Sequence, residues 1–284
     1  MEKVLGGLQC VVYGADAAAT DRNAKVSVVF IMHGRMGSAQ GLEPFCTALT
    51  KTKAPSSEYL VLIAFDHPNH GSRLLDKKYN LTWAEGNDTH GLDMWATQYS
   101  TAADVSHLID VVPGYLFPNF DRNPVVRWGV CGISLGGHST YLAMIRDARL
   151  SLAIPIIAAA SYTSLITSRF ATAPPNANQG RDYYLPPHFL HMVTERQAST
   201  HVSRFVGKQL CVLSGGADTL VPWSCNEAFI EALRQAGMSE HGDDDGYLRV
   251  VVYDGVGHEV KQPMIDEAVK AIERWMGQGR TSHL

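Results

Sequence analysis

The chain has little that would tie it to a membrane, a polyanion or an oxidising compartment. Its 284 residues contain five cysteines, Cys10, Cys46, Cys131, Cys211 and Cys225. That odd number, with no CxxC pair and no zinc-finger spacing, argues against a disulfide framework or a structural metal site. No apolar run approaches the roughly 20 residues needed to cross a bilayer. The opening residues 1–14 carry Glu2 and Lys3 but neither the apolar stretch nor the cleavage site of a secretory signal. A reducing, cytoplasmic setting is therefore the expectation. Lys and Arg total 24 against 28 Asp and Glu, a formal charge of −4, and they are scattered along the chain. No basic patch for nucleic acid or anionic membrane is visible, so a small-molecule substrate is expected rather than a polyanion. Internal repeats and low-complexity segments are absent too.

What is present is enough apolar residue, 45% of the chain, to bury one large core. Short apolar runs recur at 26–32, 60–65, 125–131, 152–157, 210–213 and 248–253. Each is of strand length and apolar on both faces, which a parallel sheet covered by helices requires. Helical periodicity lies between them. Val105, Leu108, Ile109 and Val112 fall at i, i+3, i+4 and i+7, and Ile265, Ala268, Val269, Ile272, Trp275 and Met276 keep the same period. Ser224 with Glu227 reads as a capping box opening a third helix. The alternation predicts one α/β domain over residues 1–284, a mostly parallel doubly wound sheet whose strand carboxyl ends carry the site. Two stretches break it. Residues 72–100 hold Tyr79, Trp83, Trp95 and Tyr99, and residues 160–207 hold Pro174 with Pro175 and Pro186 with Pro187. Both exceed simple connections, and the second is expected to form a small cap or lid.

The strongest chemical signal is Gly132-Ile133-Ser134-Leu135-Gly136-Gly137, directly after the run 125–131 and before a helical stretch at 138–145. A serine lifted on a sharp strand-to-helix turn needs small residues on both sides, because strained backbone and a closely packed helix leave no room for side chains. A serine hydroxyl also needs a base and an acid that orients the base. His258, in Gly255-Val256-Gly257-His258-Glu259 after the run 248–253, supplies the base. Asp218, in Gly215-Gly216-Ala217-Asp218 after the run 210–213, supplies the acid. The rival acid position, after the run 152–157, offers only Ala158-Ala159-Ala160-Ser161. His33-Gly34-Arg35-Met36-Gly37, after the run 26–32, gives a loop amide that can face a developing oxyanion together with the Leu135 amide. Arg35 is the preferred loop donor and Met36 its neighbouring alternative. The Arg35 guanidinium could instead meet a substrate carboxylate.

These motifs resemble the α/β-hydrolase superfamily, and within it the dienelactone-hydrolase and prolyl-oligopeptidase-related esterases. The likeness rests on the turn Asp66-His67-Pro68-Asn69-His70-Gly71, the elbow 132–137, Gly216-Ala217-Asp218 followed by Val221-Pro222, and Gly257-His258. It implies the α/β-hydrolase fold and a Ser134, Asp218, His258 triad acting on an ester or thioester through an acyl-enzyme, with no cofactor and no metal. It also implies that the turn with His67 and His70 packs structurally behind the oxyanion loop. The chain departs from dienelactone hydrolases in having Ser134 where they use cysteine, and the N-terminal stretch is too short to encode the propeller expected of prolyl oligopeptidases. Acyl transfer by the same triad and a non-catalytic ligand receptor on a hydrolase scaffold are the competing expectations. Trp83, Trp95, Tyr183, Tyr184 and Phe189 are candidates to line an apolar pocket or to anchor the insertions.

Overall fold

The computed structural model describes residues 1–55, 58–172, 179–241 and 246–278. Its strands are β1 (Glu2–Leu5), β2 (Leu8–Tyr13), β3 (Lys25–Met32), β4 (Glu58–Phe65), β5 (Val125–Ile133), β6 (Leu150–Ile156), β7 (Gln209–Gly215) and β8 (Tyr247–Tyr253). They form one sheet in the order β1-β2-β4-β3-β5-β6-β7-β8. All pairs from β4 to β8 are parallel, while β1 and β2 add an antiparallel edge. This edge hairpin went unread because its strands are short. Its signal is the pair Gly6-Gly7, both at positive φ, which a two-residue hairpin turn requires.

The helices are α1 (Ala15–Thr20), α2 (Glu43–Leu49), α3 (His90–Leu116), α4 (Leu135–Arg146), α5 (Tyr162–Thr172), α6 (Arg181–Tyr184), α7 (Pro187–Arg196), α8 (Ser224–Gln235) and α9 (Gln262–Gly277). Strand β3 shows how the layers form. Val26, Val28, Phe30 and Met32 join the core shared with α3, α4 and α8, while Val29 and Ile31 join the core shared with α2 and α9. Successive side chains of a strand point to opposite faces, so a strand buried on both sides is apolar except where a polar side chain finds a partner, as Ser27 does by donating to Glu58.

Two local expectations need correction. Helix α3 starts at His90, so the segment 72–100 is an insertion only up to about residue 89. The buried face Met94, Trp95, Gln98, Thr101, Ala102, Val105 keeps helical period, but its aromatic and polar members hid it. Ser224 does not cap α8: the cap position is Trp223, and no side chain caps that end. A capping box is formed instead by Thr82 with Glu85, in the insertion. Residues 160–207, between β6 and β7, hold α5, α6 and α7, with Pro187 in the first turn of α7. Pro174 and Pro175 lie outside the described residues. No helix among the described residues is long and apolar enough to cross a membrane.

Candidate active site

Strands β5, β7 and β8 end on the same edge of the sheet, and each delivers one side chain. Ser134 is the residue between β5 and α4, at φ 53° and ψ −111°, a left-handed conformation that a residue with a Cβ rarely takes. Such strain is worth about 1–3 kcal/mol and survives only where neighbours over-determine it. Here the Ser134 amide donates to Ile156 O at 2.9 Å, and its carbonyl accepts from the His138 amide at 2.9 Å. Two glycines make the turn possible. A Cβ at Gly136 would stand 2.3 Å from Met32 O, and one at Gly132 would stand 2.2 Å from Gly136 O. The elbow helix is thus pressed against the end of β3 with backbone touching backbone, and the Gly136 amide donates to His33 O at 3.0 Å.

His258 and Asp218 come from adjacent strand ends, and the two loops are sewn together. The Gly216 amide donates to Tyr253 O at 2.8 Å and the Ala217 amide to Val256 O at 2.9 Å. Ser134 Oγ lies 2.8 Å from His258 Nε2, and His258 Nδ1 lies 2.7 Å from Asp218 Oδ2. The other Asp218 oxygen, Oδ1, accepts from the Leu220 amide at 2.9 Å and the Val221 amide at 2.8 Å. Burial alone would raise the Asp218 pKa, but the His258 hydrogen bond and the Val221 and Leu220 amides outweigh it and hold the carboxyl below its ordinary value. An ionised Asp218 fixes the Nδ1–H tautomer, so Nε2 faces Ser134 as an acceptor.

The loop after β3 closes the other side. The Gly37 amide donates to Gly34 O at 3.0 Å, and Met36 at the third position has φ 66°, as a type II turn needs. A Cβ at Gly34 would lie 3.7 Å from Ser134 Cβ, so this turn stands directly against the serine. Met36 is exposed, whereas Arg35 is half-buried with Nη1 donating to Asn80 O at 2.7 Å. Leu135, whose amide opens α4, is buried.

Behind the loop, the segment 66–71 packs three imidazoles. The His33 ring lies 4.1 Å from His67 and 5.4 Å from His70. His67 Nε2 donates to His33 O at 2.7 Å, and His33 Nε2 accepts from the His67 amide at 3.2 Å. Burial pushes His33 down to about 4 and His67 well below the usual histidine value, so both rings are neutral. Asp66 accepts from the Ala39 and Ser72 amides at 2.7 Å each, which ties the loop after β3 to the insertion. Among the described residues, no group of three or more His, Cys, Asp or Glu side chains is placed to hold a metal ion. The five cysteines are buried and unpaired, and burial pushes Cys10 and Cys46 up to about 12.

Other sequence candidates fall elsewhere. Trp83, Trp95, Tyr184 and Phe189 are buried anchors, while Tyr183 is exposed. His138 lies behind the elbow, its Nδ1 accepting from the Ala159 amide at 3.0 Å, and His191 pairs with Glu195 on the surface. One side chain at the site was missed altogether. Arg169, on α5, donates through Nε and Nη2 to Leu220 O at 3.1 and 3.0 Å, two residues past Asp218. Nothing in its immediate sequence marks it, because only the packing of α5 brings it to the acid loop.

No family model matches the chain, and no curated protein is similar to it in sequence. Solved structures are similar in shape. TT1662 from Thermus thermophilus superposes at a TM-score of 0.70 with 17% identity, covering 98% of each chain. Acetyl xylan esterase 1 from Thermoanaerobacterium sp. JW/SL YS485 gives 0.60 with 13% identity, over 95% of this chain and 80% of that one. A puromycin-hydrolyzing peptidase of Mycobacterium tuberculosis gives 0.59 with 16% identity, over 98% of this chain but 39% of the peptidase. The strand order, the antiparallel β1–β2 edge and these superpositions together show that the chain has the α/β-hydrolase fold.

Proposed function

We propose that the protein is a serine hydrolase that cleaves an ester or thioester through an acyl-enzyme. The observation that carries this reading is the unbroken relay of Ser134 Oγ, His258 and Asp218 at 2.8 and 2.7 Å, with the serine on a strained elbow. His258 Nε2 takes the hydroxyl proton as Ser134 attacks the carbonyl carbon, and then gives it to the leaving group. Asp218 stabilises the imidazolium without itself becoming protonated. The tetrahedral oxyanion is held by the amides of Leu135 and Arg35, neither of which meets an acceptor among the described residues. Met36, the next amide, belongs to an exposed turn residue and is the weaker choice. Each donor of this kind is worth about 2.7–4 kcal/mol. Water then attacks the acyl-enzyme with the same histidine as base, which requires no cofactor. Helices α5–α7 serve as the cap over this edge.

The test is turnover of a panel of p-nitrophenyl esters, acyl-CoA thioesters and lactones, with Ser134→Ala as the blank. Hydrolysis of at least one class that is lost in the variant is expected. A panel turned over equally by protein and variant would overturn the proposal.

A further inference from the structure

Arg35, next to the Gly34 that abuts Ser134, and Arg169, bonded to the acid loop, are half-buried cations, and neither meets a carboxylate within 4.0 Å among the described residues. Their hydrogen-bond acceptors are neutral. Arg35 donates to Asn80 O at 2.7 Å, and Arg169 donates to Leu220 O and, through Nη1, to Met94 Sδ at 3.1 Å. The charge of Asp218 favours Arg169 from a distance but makes no ion pair with it, its oxygens being bonded to His258 and two amides. The charge of Glu85 likewise favours Arg35 from a distance, but its carboxylate is bonded to the Thr82 amide and hydroxyl and makes no ion pair with Arg35. Burying an unpaired charge is costly, so a pair of such cations at one edge of a site implies an anion that completes them.

The aromatic cluster next to Arg169 points the same way. Trp83 packs edge-on against His90 at 5.2 Å and against Phe170, the neighbour of Arg169, at 5.5 Å. The buried Trp83 Nε1–H meets no acceptor among the described residues, so this cluster holds a third unused donor. His90 lies in the field of both guanidinium groups and, with burial as the larger cause, is pushed down to about 3; it adds no negative charge. Burial and the charge of Arg35 press Arg169 down to about 10, which still leaves it cationic at neutral pH.

Building on the hydrolase reading, we propose that Arg35 and Arg169 form an anion subsite beside Ser134, so that the ester cleaved there carries a carboxylate or phosphate group on its acyl side. The planar guanidinium forks bind the anion while the Arg35 backbone faces the oxyanion, so charge recognition and carbonyl placement come from one loop.

The test compares p-nitrophenyl butyrate with two esters of the same length ending in a carboxylate, the hemisuccinate, and in a phosphonate. The native protein should favour one charged ester by about tenfold or more in kcat/KM, the favoured one naming the anion, with the advantage shrinking as salt rises. Arg169→Gln and Arg35→Gln should each cut the charged-to-neutral ratio by about ten- to hundredfold, chiefly through KM. A native protein without charge preference, or an Arg169→Gln variant that slows all three esters equally as a mere clamp on the acid loop would, overturns the subsite and leaves the hydrolase reading standing. Calorimetry of hemisuccinate on Ser134→Ala supplies a readout free of turnover. Binding tighter than butyrate, and lost on adding Arg169→Gln, supports the subsite even if no ester is cleaved, an outcome that would count against the hydrolase reading alone.

Discussion

His33, His67, His90 and His138 are all no more than 3% exposed and are bonded to backbone or to a hydroxyl, whereas the His258 side chain is 21% exposed and stands between a carboxylate and a serine. The same ring does opposite work in the two regions. Wrapped in protein, an imidazole is a rigid neutral strut: His67 donates to the carbonyl of His33, which also accepts from Gly136 and so joins the loop after β3 to the elbow. At the sheet edge, a ring with an ionised partner on one side and a hydroxyl on the other can take up a proton and give it back. Partners, not residue type, separate scaffold from chemistry.

The sharpest way to break this comparison is to delete one ring from each region. His258→Gln should lower kcat by about 10⁶ while leaving the melting temperature nearly unchanged, because the members of such a relay fail as a unit. His67→Asn should do the reverse, costing about 1–3 kcal/mol of stability through unsatisfied buried polar groups while kcat falls far less. Kinetics and thermal melting on the same preparations check both. Were His67→Asn the more inactive variant while still folded, the strut would belong to the chemistry.

A smaller effect is expected at the acid. Asp218→Asn should lower kcat by about 10⁴ with little change in KM, since the amide keeps the shape but favours the wrong tautomer of His258. A variant that melts early yet turns over at the native rate would make Asp218 a turn former and nothing more.

The pH dependence of stability follows from the struts. Buried histidines whose folded pKa is depressed stay neutral while the unfolded chain takes up protons near pH 6.5, so stability falls as pH drops from about 6.5 towards the folded values. His33 at about 4 and His90 and His138 at about 3, with His67 also well depressed, set that window. Each contributes up to about 1.4 kcal/mol per pH unit, so denaturant melts at pH 7, 6 and 5 should show a loss of several kcal/mol. Removing His67 should flatten the slope by about one proton. A stability that is level between pH 7 and 5 would mean the rings are charged in the fold.

How much of this is written locally explains what the sequence revealed. The central strands, the elbow glycines and the order of Ser134, Asp218 and His258 are legible because each depends on its own few neighbours: apolar runs for strands buried on both faces, and small residues where backbone meets backbone at Gly132 and Gly136. The start of α3, the β1–β2 edge and Arg169 are not. The first is masked by aromatic residues that anchor an insertion, the second is a pair of short strands, and the third reaches the site only when α5 folds against the acid loop at Leu220. Residues that hold a site together across the chain leave the weakest trace in it.

The central claim is that the sheet edge activates one serine. Incubation of the native protein with a fluorophosphonate, followed by intact-mass measurement and peptide mapping, addresses it directly, because only an activated serine attacks phosphorus readily. One adduct per chain, on Ser134, absent from Ser134→Ala and strongly slowed in His258→Gln, is the expected result. No adduct on the folded native protein, or labelling that persists on another serine after Ser134→Ala, would contradict it.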